Sequence, residues 1–338
     1  MQSLNSFKVS AFAAGYIQLN SLKDIVDLYA TVDVRRTHFY ILGGGSNTLF
    51  VEDFPGCILH VQLSGIEVIA ETCHKVLVKA AAGVVWHQLV LFCIGKGYGG
   101  IENLSLIPGT VGGAPIQNIG AYGIELKDVV DTIEAIELST GQKVIFKGSA
   151  CGFGYRTSFF KTKWSHQYLI TSITLALHKE TKYAIAYESI QAMLAKMEVK
   201  QLSFKAISDA VIAIRRQKLP DPATLGNAGS FFQNPLISID HYAWLKQKYP
   251  SLIAFSREDK AQIKISAAWL IEAAGCKGLR IGNVGVYPLH ALILVNYGGA
   301  TGKDIIDLAA HIKQKVKNQF DITLIPEVNI PPTLPVYT

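Results

Sequence analysis

Apolar residues along this chain of 338 residues recur every three or four positions in some segments and at alternate positions in others. The first pattern predicts amphipathic helices, and the second predicts half-buried strands. Ser266 precedes one helical pattern and Gly275 follows it, so we expect them at its N-cap and C′ positions. The predicted helices cover residues 22–30, 85–94, 266–275 and 303–318, with a further apolar stripe at Ile207, Ala210, Val211 and Ile214. The predicted apolar face of the first helix is Leu22, Ile25, Val26 and Tyr29, and the predicted inner face of the last is Ile305, Leu308, Ala309, Ile312 and Val316.

The alternating pattern is clearest at residues 169–177, where Leu169, Ile173, Leu175 and Leu177 share one face and predict a half-buried strand. Strands and helices interleave throughout the chain, which predicts the α+β class. A segment rich in Pro and Gly, residues 218–230, is the expected boundary before a C-terminal domain, and residues 330–338 are expected to be non-helical. The other predicted strands are residues 39–43 and 75–82, and a hairpin of 133–138 with 144–146.

Composition narrows the class of protein. Hydrophobic residues make up 49% of the chain and charged residues 17%, which is typical of a globular protein. No apolar run approaches the roughly 18 residues of a membrane span, and the first residues lack the pattern of a secretory signal. The five cysteines are widely spaced without a CxxC pair, which predicts buried thiols in a reduced, cytoplasmic protein without a metal site.

The formal charge of +6 is spread along the chain rather than gathered in a patch. Nucleic-acid binders usually carry a sharper basic patch. We therefore expect neither a nucleic-acid nor a membrane partner, and we expect a monomer that acts on a small molecule. A modest positive field can still steer a polyanionic ligand toward the protein.

Two glycine-rich segments carry the candidate binding chemistry. Residues 107–123 hold five glycines and two prolines without a charged residue, and residues 41–50 contain the run Gly43, Gly44 and Gly45 after a predicted strand. Glycine lets a ligand approach the main chain, and consecutive glycines allow a nest of N–H groups for phosphate. Neither segment is a P-loop or a G-x-G-x-x-G fingerprint, and one such segment alone is equally typical of a tight loop. Together they favour a large cofactor with a diphosphate and a flat ring.

The two segments resemble the FAD-binding domain of the vanillyl-alcohol-oxidase type. More narrowly, the chain resembles the UDP-N-acetylenolpyruvoylglucosamine reductase family, and in particular its first subtype. The resemblance covers nearly the entire chain in the expected order. It continues through the motifs FGYRTSFFK at 153–161, KLPDP at 218–222, GNAGSFFQNP at 226–235, AAWLIEAAGCKG at 267–278, HALILVN at 290–296 and IPEV at 325–328.

The resemblance implies a two-lobed FAD-binding domain followed by a C-terminal α/β substrate-binding domain. The first lobe would be residues 1–60 with 322–338 returning to it, the second lobe 61–200, and the C-terminal domain 201–321. It also implies non-covalent FAD, NADPH as co-substrate, and reduction of an enolpyruvyl ether to a lactyl ether in peptidoglycan precursor synthesis. In the family, flavin N5 delivers the hydride.

Three residues match the catalytic positions of the family. Ser230 would donate a proton, although such a serine alone is more often a turn residue or an N-cap. Arg156 would pair with the substrate carboxylate, although alone it suggests a surface salt bridge. Glu327 would be a hydrogen-bonding acid with a raised pKa, although alone it suggests an exposed carboxylate.

The binding residues are carried over in the same way. Tyr122 is expected to touch both flavin and substrate. This chain departs from the family at Ile325, Phe255 and Gln233, where a glutamate, a tyrosine and a lysine are common. The other expected substrate contacts are Tyr187, Lys218, Asn234, Lys264, Lys277 and His290. The expected FAD contacts, besides Tyr122, are Gly43, Gly44, Gly45, Ser46, Asn47, Thr48, Pro108, Gly109, Thr110, Gly112, Gly113, Ala114, Gln117, Asn118, Gly120, Ala121, Ile170 and Arg215.

Two other functions remain open from the residues. One is an alcohol or sugar oxidase of the same fold that is re-oxidised by oxygen. The other is a non-catalytic protein that binds flavin or a sugar nucleotide. The motifs around Ser230 and Glu327 favour the reductase over both.

Overall fold

The computed structural model describes residues 1–34, 36–255 and 262–331. The helices are α1 (Leu22–Thr31), α2 (Trp86–Gly95), α3 (Glu188–Lys196), α4 (Phe204–Lys218), α5 (Ile239–Lys248), α6 (Ala267–Ala273) and α7 (Gly302–Phe320). The strands are β1 (Ala13–Leu19), β2 (Phe39–Leu42), β3 (Phe54–Val61), β4 (Ile66–Glu71), β5 (Lys75–Ala81), β6 (Gly120–Ala121), β7 (Ile124–Glu125), β8 (Val130–Glu137), β9 (Lys143–Lys147), β10 (Tyr168–His178), β11 (Leu236–Ser238), β12 (Ala254–Phe255), β13 (Gln262–Ile265), β14 (Arg280–Ile281), β15 (Val284–Val286) and β16 (Leu294–Asn296).

The chain divides into two compact units. The central unit contains Ala13–Gly45 and Pro55–Gln217, and the terminal unit contains Met1–Phe12, Ser46–Phe54 and the described residues from Lys218 onward. Lys218 is also the first residue of the segment that the sequence predicts as a boundary. The division into two lobes and a C-terminal domain stays a prediction. Residues 332–338, which end the predicted returning segment and tail, lie outside the described residues.

Two sheets form the framework of the central unit. A three-stranded sheet has the order β1-β3-β2, and a five-stranded sheet has the order β4-β5-β10-β8-β9. The strand β10 lies between β5 and β8, and both pairings are antiparallel. The prediction of a half-buried strand at 169–177 is therefore wrong in its burial. Residues 169–175 are buried on both faces of the strand, including Thr171, Ser172 and Thr174, whereas Ala176 is exposed.

Apolar residues from the helices of the central unit complete its core. Trp86 and Leu89 of α2 are fully buried, as the predicted helix at 85–94 requires. The predicted helix at 22–30 is confirmed as α1, but its predicted apolar face is wrong in part. Ile25 is buried, whereas Leu22 and Val26 are 61% and 67% exposed.

A second cluster in the central unit joins α3 to α4. The predicted stripe Ile207, Ala210, Val211 and Ile214 is confirmed as the buried face of α4. It packs with Ile190, Met193 and Leu194 of α3. This cluster places the C-terminal end of α4, and hence Arg215, beside partly buried residues that include Tyr122.

In the terminal unit, α6 and α7 pack together, and α7 also packs on β15 and β16. The predicted caps of α6 are confirmed, since Ser266 Oγ accepts a hydrogen bond from the Trp269 N–H and Gly275 is left-handed. Helix α7 begins with a capping box of Thr301 and Asp304. Its predicted inner face is confirmed: Ile305, Leu308, Ala309, Ile312 and Val316 are all buried.

The prediction of buried thiols is confirmed for three of the five cysteines. Cys93, Cys151 and Cys276 are buried, Cys57 is partly exposed, and Cys73 is exposed, contrary to the prediction. Burial raises the pKa of Cys93 to about 12 and that of Cys151 to about 11, so both thiols are protonated at neutral pH. Among the described residues, no helix has the length and apolar character needed to cross a membrane.

Gly302 begins α7 at a point where the helix meets the loop after Thr48. A Cβ at this position would overlap the Phe50 carbonyl oxygen and lie 2.6 Å from Val51 Cα. We expect Gly302→Ala to lower the free energy of unfolding by about 1–3 kcal/mol, because main-chain atoms must move. Lys303→Ala, an exposed neighbour on the same helix, should change it by less than about 0.5 kcal/mol. Urea unfolding measures both, and equal effects would contradict the steric explanation.

Candidate active site

The two glycine-rich segments meet in the central unit. A Cβ at Gly43 would overlap the Thr110 hydroxyl oxygen, and a Cβ at Gly44 would lie 3.1 Å from Gly109 Cα. Gly43 directly follows β2, as the sequence predicts. A methyl group at Gly43 would require the Thr110 hydroxyl to move, and one at Gly44 would require the main chain at Gly109 to shift by a few tenths of an ångström. Glycine at both positions therefore allows the two loops to lie side by side.

Main-chain hydrogen bonds hold the longer glycine-rich segment in place. The Gly109 carbonyl accepts from the Trp86 N–H at 2.9 Å, where α2 begins. The Val111 and Gly112 N–H groups donate to the Val84 and Ala82 carbonyls, both at 2.8 Å. The segment is thus attached to the connection between β5 and α2, although its own regular structure is limited to a short 3-10 turn and the two residues of β6.

The residues around these loops fit a large anionic cofactor. Within the described part of the chain, the buried Thr110 hydroxyl and the buried Nε of Arg215 have no hydrogen-bond partner. A buried donor without a partner is costly, so a ligand that accepts hydrogen bonds would stabilise both groups. FAD, with its diphosphate, has the acceptors that these donors require.

The charge around Arg215 supports the same conclusion. Burial lowers the pKa of Arg215, the Tyr122 phenol acts to raise it, and the nearby charge of Arg156 lowers it further. Arginine nevertheless stays protonated in proteins. Two guanidinium groups that repel each other favour an anion beside them, and a diphosphate is such an anion.

Arg156 lies on a tight turn that is fastened to the glycine-rich segment. The turn is closed by the Gly154 N–H, which donates to the Thr157 carbonyl at 3.0 Å, and Arg156 itself is left-handed with φ 53°. Arg156 Nη2 donates to the Gly120 carbonyl at 2.9 Å, and Ser158 Oγ donates to the Ile116 carbonyl at 2.8 Å. The structure therefore places Arg156, which is predicted to bind the substrate carboxylate, against the segment that is predicted to bind the flavin.

The side chain of Asn118 is used inside the protein. It is fully buried, and its Nδ2 donates to Glu125 Oε2 and to the Gly154 carbonyl, both at 3.0 Å. Its Oδ1 accepts from the Lys127 N–H at 3.0 Å. This residue fastens the Arg156 turn, so the predicted contact with FAD would have to come from its main chain.

Tyr122 and Tyr187, two predicted substrate contacts, touch each other in the central unit. Their rings meet edge to face, with centroids 6.0 Å apart and an angle of 84°. Tyr122 is left-handed with φ 49°, whereas Tyr187 is 50% exposed and is the N-cap residue of α3. Burial raises the pKa of the Tyr122 phenol.

Ile170, a predicted FAD contact, is buried in β10.

In the terminal unit, Ser230 and Glu327 lie on neighbouring extended segments. The Glu327 N–H donates to the Phe231 carbonyl at 2.8 Å, and the Gln233 N–H donates to the Ile325 carbonyl at 2.9 Å. On the other side, Ser230 forms a bridge with Ile293. The structure thus places these two predicted catalytic residues on adjacent segments although about a hundred positions separate them in sequence.

Residues 46–49 extend this arrangement on the far side of Glu327. The Asn329 N–H donates to the Asn47 carbonyl at 3.0 Å, and Asn47 Nδ2 donates to the Glu327 carbonyl at 3.3 Å. Thr48 forms a parallel bridge with Asn329. Asn47, predicted from the glycine motif as an FAD contact, therefore also supports the main chain of Glu327.

The remaining predicted substrate contacts also belong to the terminal unit. Burial lowers the pKa of His290, and the nearby charges of Lys218 and Lys277 lower it further. These three basic side chains are therefore close enough to interact. Lys277 also pairs with Glu272 at 2.9 Å. Lys264 faces Phe255 across β13 and β12, with Nζ 5.2 Å from the ring centroid. Asn234 Oδ1 accepts from the Ala267 N–H at the start of α6.

Comparisons with known proteins identify the family of this chain. A family model described as an FAD binding domain matches residues 13–146, and one described as the UDP-N-acetylenolpyruvoylglucosamine reductase C-terminal domain matches residues 221–331. The chain is 48% identical over 330 residues to the UDP-N-acetylenolpyruvoylglucosamine reductase of Amoebophilus asiaticus, covering 98% of this chain and 97% of that protein. It is 40% identical to the reductase of Flavobacterium johnsoniae, again covering 98% and 97%.

The fold is similar to the crystal structure of UDP-N-acetylenolpyruvylglucosamine reductase from Thermus caldophilus. The TM-score is 0.66 at 21% identity, over 98% of this chain and 97% of that one. The protein is an FAD-dependent oxidoreductase. More narrowly, the chain belongs to the UDP-N-acetylenolpyruvoylglucosamine reductase family. The predicted α+β fold, with an FAD-binding domain and a C-terminal domain, is confirmed, as is FAD-dependent reduction in peptidoglycan precursor synthesis.

The close approach of Gly43 to Thr110 allows a direct test of the prediction that the two glycine-rich segments bind FAD. We expect Gly43→Ala to reduce the flavin retained per protein at least about tenfold, because the added methyl group displaces the Thr110 loop. The double variant Gly43→Ala with Thr110→Ala should regain flavin, since Thr110 Cβ would lie 3.8 Å from the new methyl group. Flavin absorbance after gel filtration measures retention.

Thr110→Ala alone is the control for the hydroxyl group. If Thr110→Ala by itself removes as much flavin as Gly43→Ala, crowding is not the cause. Crowding would also be rejected if the double variant retained no more flavin than Gly43→Ala.

Proposed function

We propose that this chain reduces UDP-N-acetylglucosamine enolpyruvate to UDP-N-acetylmuramate with NADPH, as a cytoplasmic monomer. The names of its relatives and the motifs shared with the family support this substrate. The observation that carries the proposal is the hydrogen bond from the Glu327 N–H to the Phe231 carbonyl, which joins the segments of two predicted catalytic residues. When bound, FAD would take a hydride from NADPH and pass it to the double bond of the substrate.

Arg156 would bind the substrate carboxylate. Hydride addition to the terminal carbon leaves negative charge on the adjacent carbon and on this carboxylate, so a guanidinium binds more tightly as the reaction advances. The bond from Nη2 to the Gly120 carbonyl holds the side chain against the glycine-rich segment in advance. Preorganisation of this kind avoids the cost of orienting the group during the reaction.

Ser230 would donate its hydroxyl proton to the adjacent carbon, which completes the reduction of the double bond. A serine hydroxyl is a weak acid, so it suits only a strongly basic carbanion. Glu327 would act as a hydrogen-bonding acid near the developing charge. The paired segments that carry both residues restrict their motion and support these roles.

Tyr122, Tyr187, Lys218, Asn234, Lys264, Lys277 and His290 would bind the UDP-sugar. Three of them, Lys218, Lys277 and His290, form a basic group that suits a diphosphate. Phe255 lacks the hydroxyl that a tyrosine would offer, so Lys264 beside it would supply the polar contact on that strand pair. The other FAD contacts and the three-part domain division remain part of this proposal.

One assay tests the reaction. FAD-loaded protein is mixed with NADPH and the UDP-linked enolpyruvyl sugar, and absorbance of the reduced nicotinamide is followed. We expect absorbance to fall only when the sugar is present, and not with UDP-N-acetylglucosamine, which lacks the enolpyruvyl group. Oxygen-dependent loss without the sugar would indicate an oxidase instead, and no loss in any mixture would reject both enzymes.

The role of Ser230 predicts a difference between the two half-reactions. Ser230→Ala should slow re-oxidation of the reduced flavin by the sugar about 10²–10⁴-fold, because the proton donor is lost. Reduction of the flavin by NADPH should change less than about twofold, since that step needs no proton from Ser230. Stopped-flow absorbance of the flavin measures both rates.

Ser238→Ala is the matched control. Ser238 lies in the same unit and caps α5, where its Oγ accepts from the His241 N–H. Its loss should leave both half-reactions unchanged. Equal slowing of both half-reactions in Ser230→Ala would argue against a proton donor at this position.

A further inference from the structure

Asn103, a fully buried residue that the sequence patterns do not single out, connects the two tyrosines of the site. Its Nδ2 donates to the Tyr122 carbonyl at 2.9 Å and to the Ala184 carbonyl at 2.8 Å. One amide nitrogen therefore holds two loops that are far apart in sequence. One loop carries Tyr122, and the other leads into Tyr187.

The first loop needs such support. Tyr122 is left-handed, a conformation that is strained for a bulky residue and costs about 1–3 kcal/mol. The next residue, Gly123, is also left-handed, and a Cβ there would lie 3.2 Å from Tyr187 Cε2. The Tyr187 ring thus packs on the main chain that Asn103 fixes through the Tyr122 carbonyl.

The second loop is held at three points. Besides the bond from Asn103 to Ala184, Gln191 Nε2 donates to the Ile185 carbonyl at 3.0 Å, and the Tyr183 hydroxyl donates to the Leu202 carbonyl at 3.0 Å. The bond from Asn103 is the one of these three that ties the loop to the Tyr122 loop. Loss of this bond would separate the loop of Tyr187 from the loop of Tyr122, while the bond from Gln191 would still hold the start of α3.

The chemistry of the amide explains why asparagine stands here. A single nitrogen with two hydrogens can donate to two carbonyls, whereas a carboxylate would repel both and an apolar group would bind neither. Within the described residues, the buried Oδ1 of Asn103 has no partner, which costs roughly 1–3 kcal/mol. A leucine would remove that cost together with the two bonds, and it would leave the Tyr122 and Ala184 carbonyls without this donor.

We propose that Asn103 is a positioning residue for substrate recognition, which holds Tyr122 and Tyr187 as a preformed pair. The substrate then binds without having to order either tyrosine, and this lowers the entropic cost of binding. The role rests on the proposed function insofar as it assigns both tyrosines to the substrate. The coupling of the two loops is independent of that assignment.

The coupling is tested first without substrate. In FAD-loaded Asn103→Leu, we expect amide hydrogen exchange over residues 120–125, the paired hairpin of β6 and β7 that carries Tyr122, to accelerate about tenfold, which corresponds to one lost hydrogen bond. Ser208→Ala, which breaks a buried bond between Ser208 and Ser105 close by, is the matched control and should leave exchange there unchanged. Unchanged exchange in Asn103→Leu would overturn the proposal whatever the substrate is.

The functional role is tested by kinetics. Asn103→Leu should raise the KM for the UDP-sugar about tenfold, while kcat and flavin reduction by NADPH change less than about twofold. Combined with Tyr187→Ala, the two substitutions should be non-additive in KM, because Asn103 acts through that tyrosine. Additive effects, or a fall in kcat with unchanged KM, would overturn the positioning role.

A second variant keeps the test available if leucine prevents folding. Asn103→Ser retains a polar group that can donate to one carbonyl only, so it should show the same changes to a smaller degree. A wild-type protein without sugar-dependent turnover would instead contradict the proposed function, and the exchange measurement would still decide the coupling of the loops.

Discussion

The close approach of Gly43 and Gly44 to Gly109 and Thr110 is the constraint on which the central unit depends. A side chain at either glycine would require its neighbour in the longer segment to move. A segment with so little regular structure must satisfy its polar groups through its neighbours. It does so through bonds to Ala82, Val84 and Trp86, which fix the loop to the framework of the five-stranded sheet.

The same segment also receives the side chains that surround it. The turn of Arg156 is fastened to it through Asn118 and Ser158, and Asn103 holds the carbonyl of Tyr122. Arg215 lies near the C-terminal end of α4, and the buried apolar face of that helix packs on α3. Two arginines from unrelated parts of the chain thus come within electrostatic reach of each other, which favours an anionic ligand.

The terminal unit uses a different construction. Its catalytic candidates are not at the ends of regular elements but on extended segments that pair with one another. The segment of Glu327 lies between that of Ser230 and that of Asn47, and main-chain hydrogen bonds join each neighbouring pair. Positions held by main chain on both sides have little freedom to shift, which suits groups that must meet a reacting atom at a fixed distance.

The sequence by itself determined the helices with strong periodicity, such as α4, α6 and α7, because local spacing and caps decide those elements. It also determined the family, FAD and the candidate residues through motifs. Only the tertiary structure decided that residues 169–175 of β10 are buried on both faces, that Leu22 and Val26 face solvent, and that Cys73 is exposed. The roles of Asn103 and Asn118 were likewise hidden, because a buried amide is defined by the carbonyls that surround it. Those partners lie up to 81 residues away, and nothing in the local pattern specifies them.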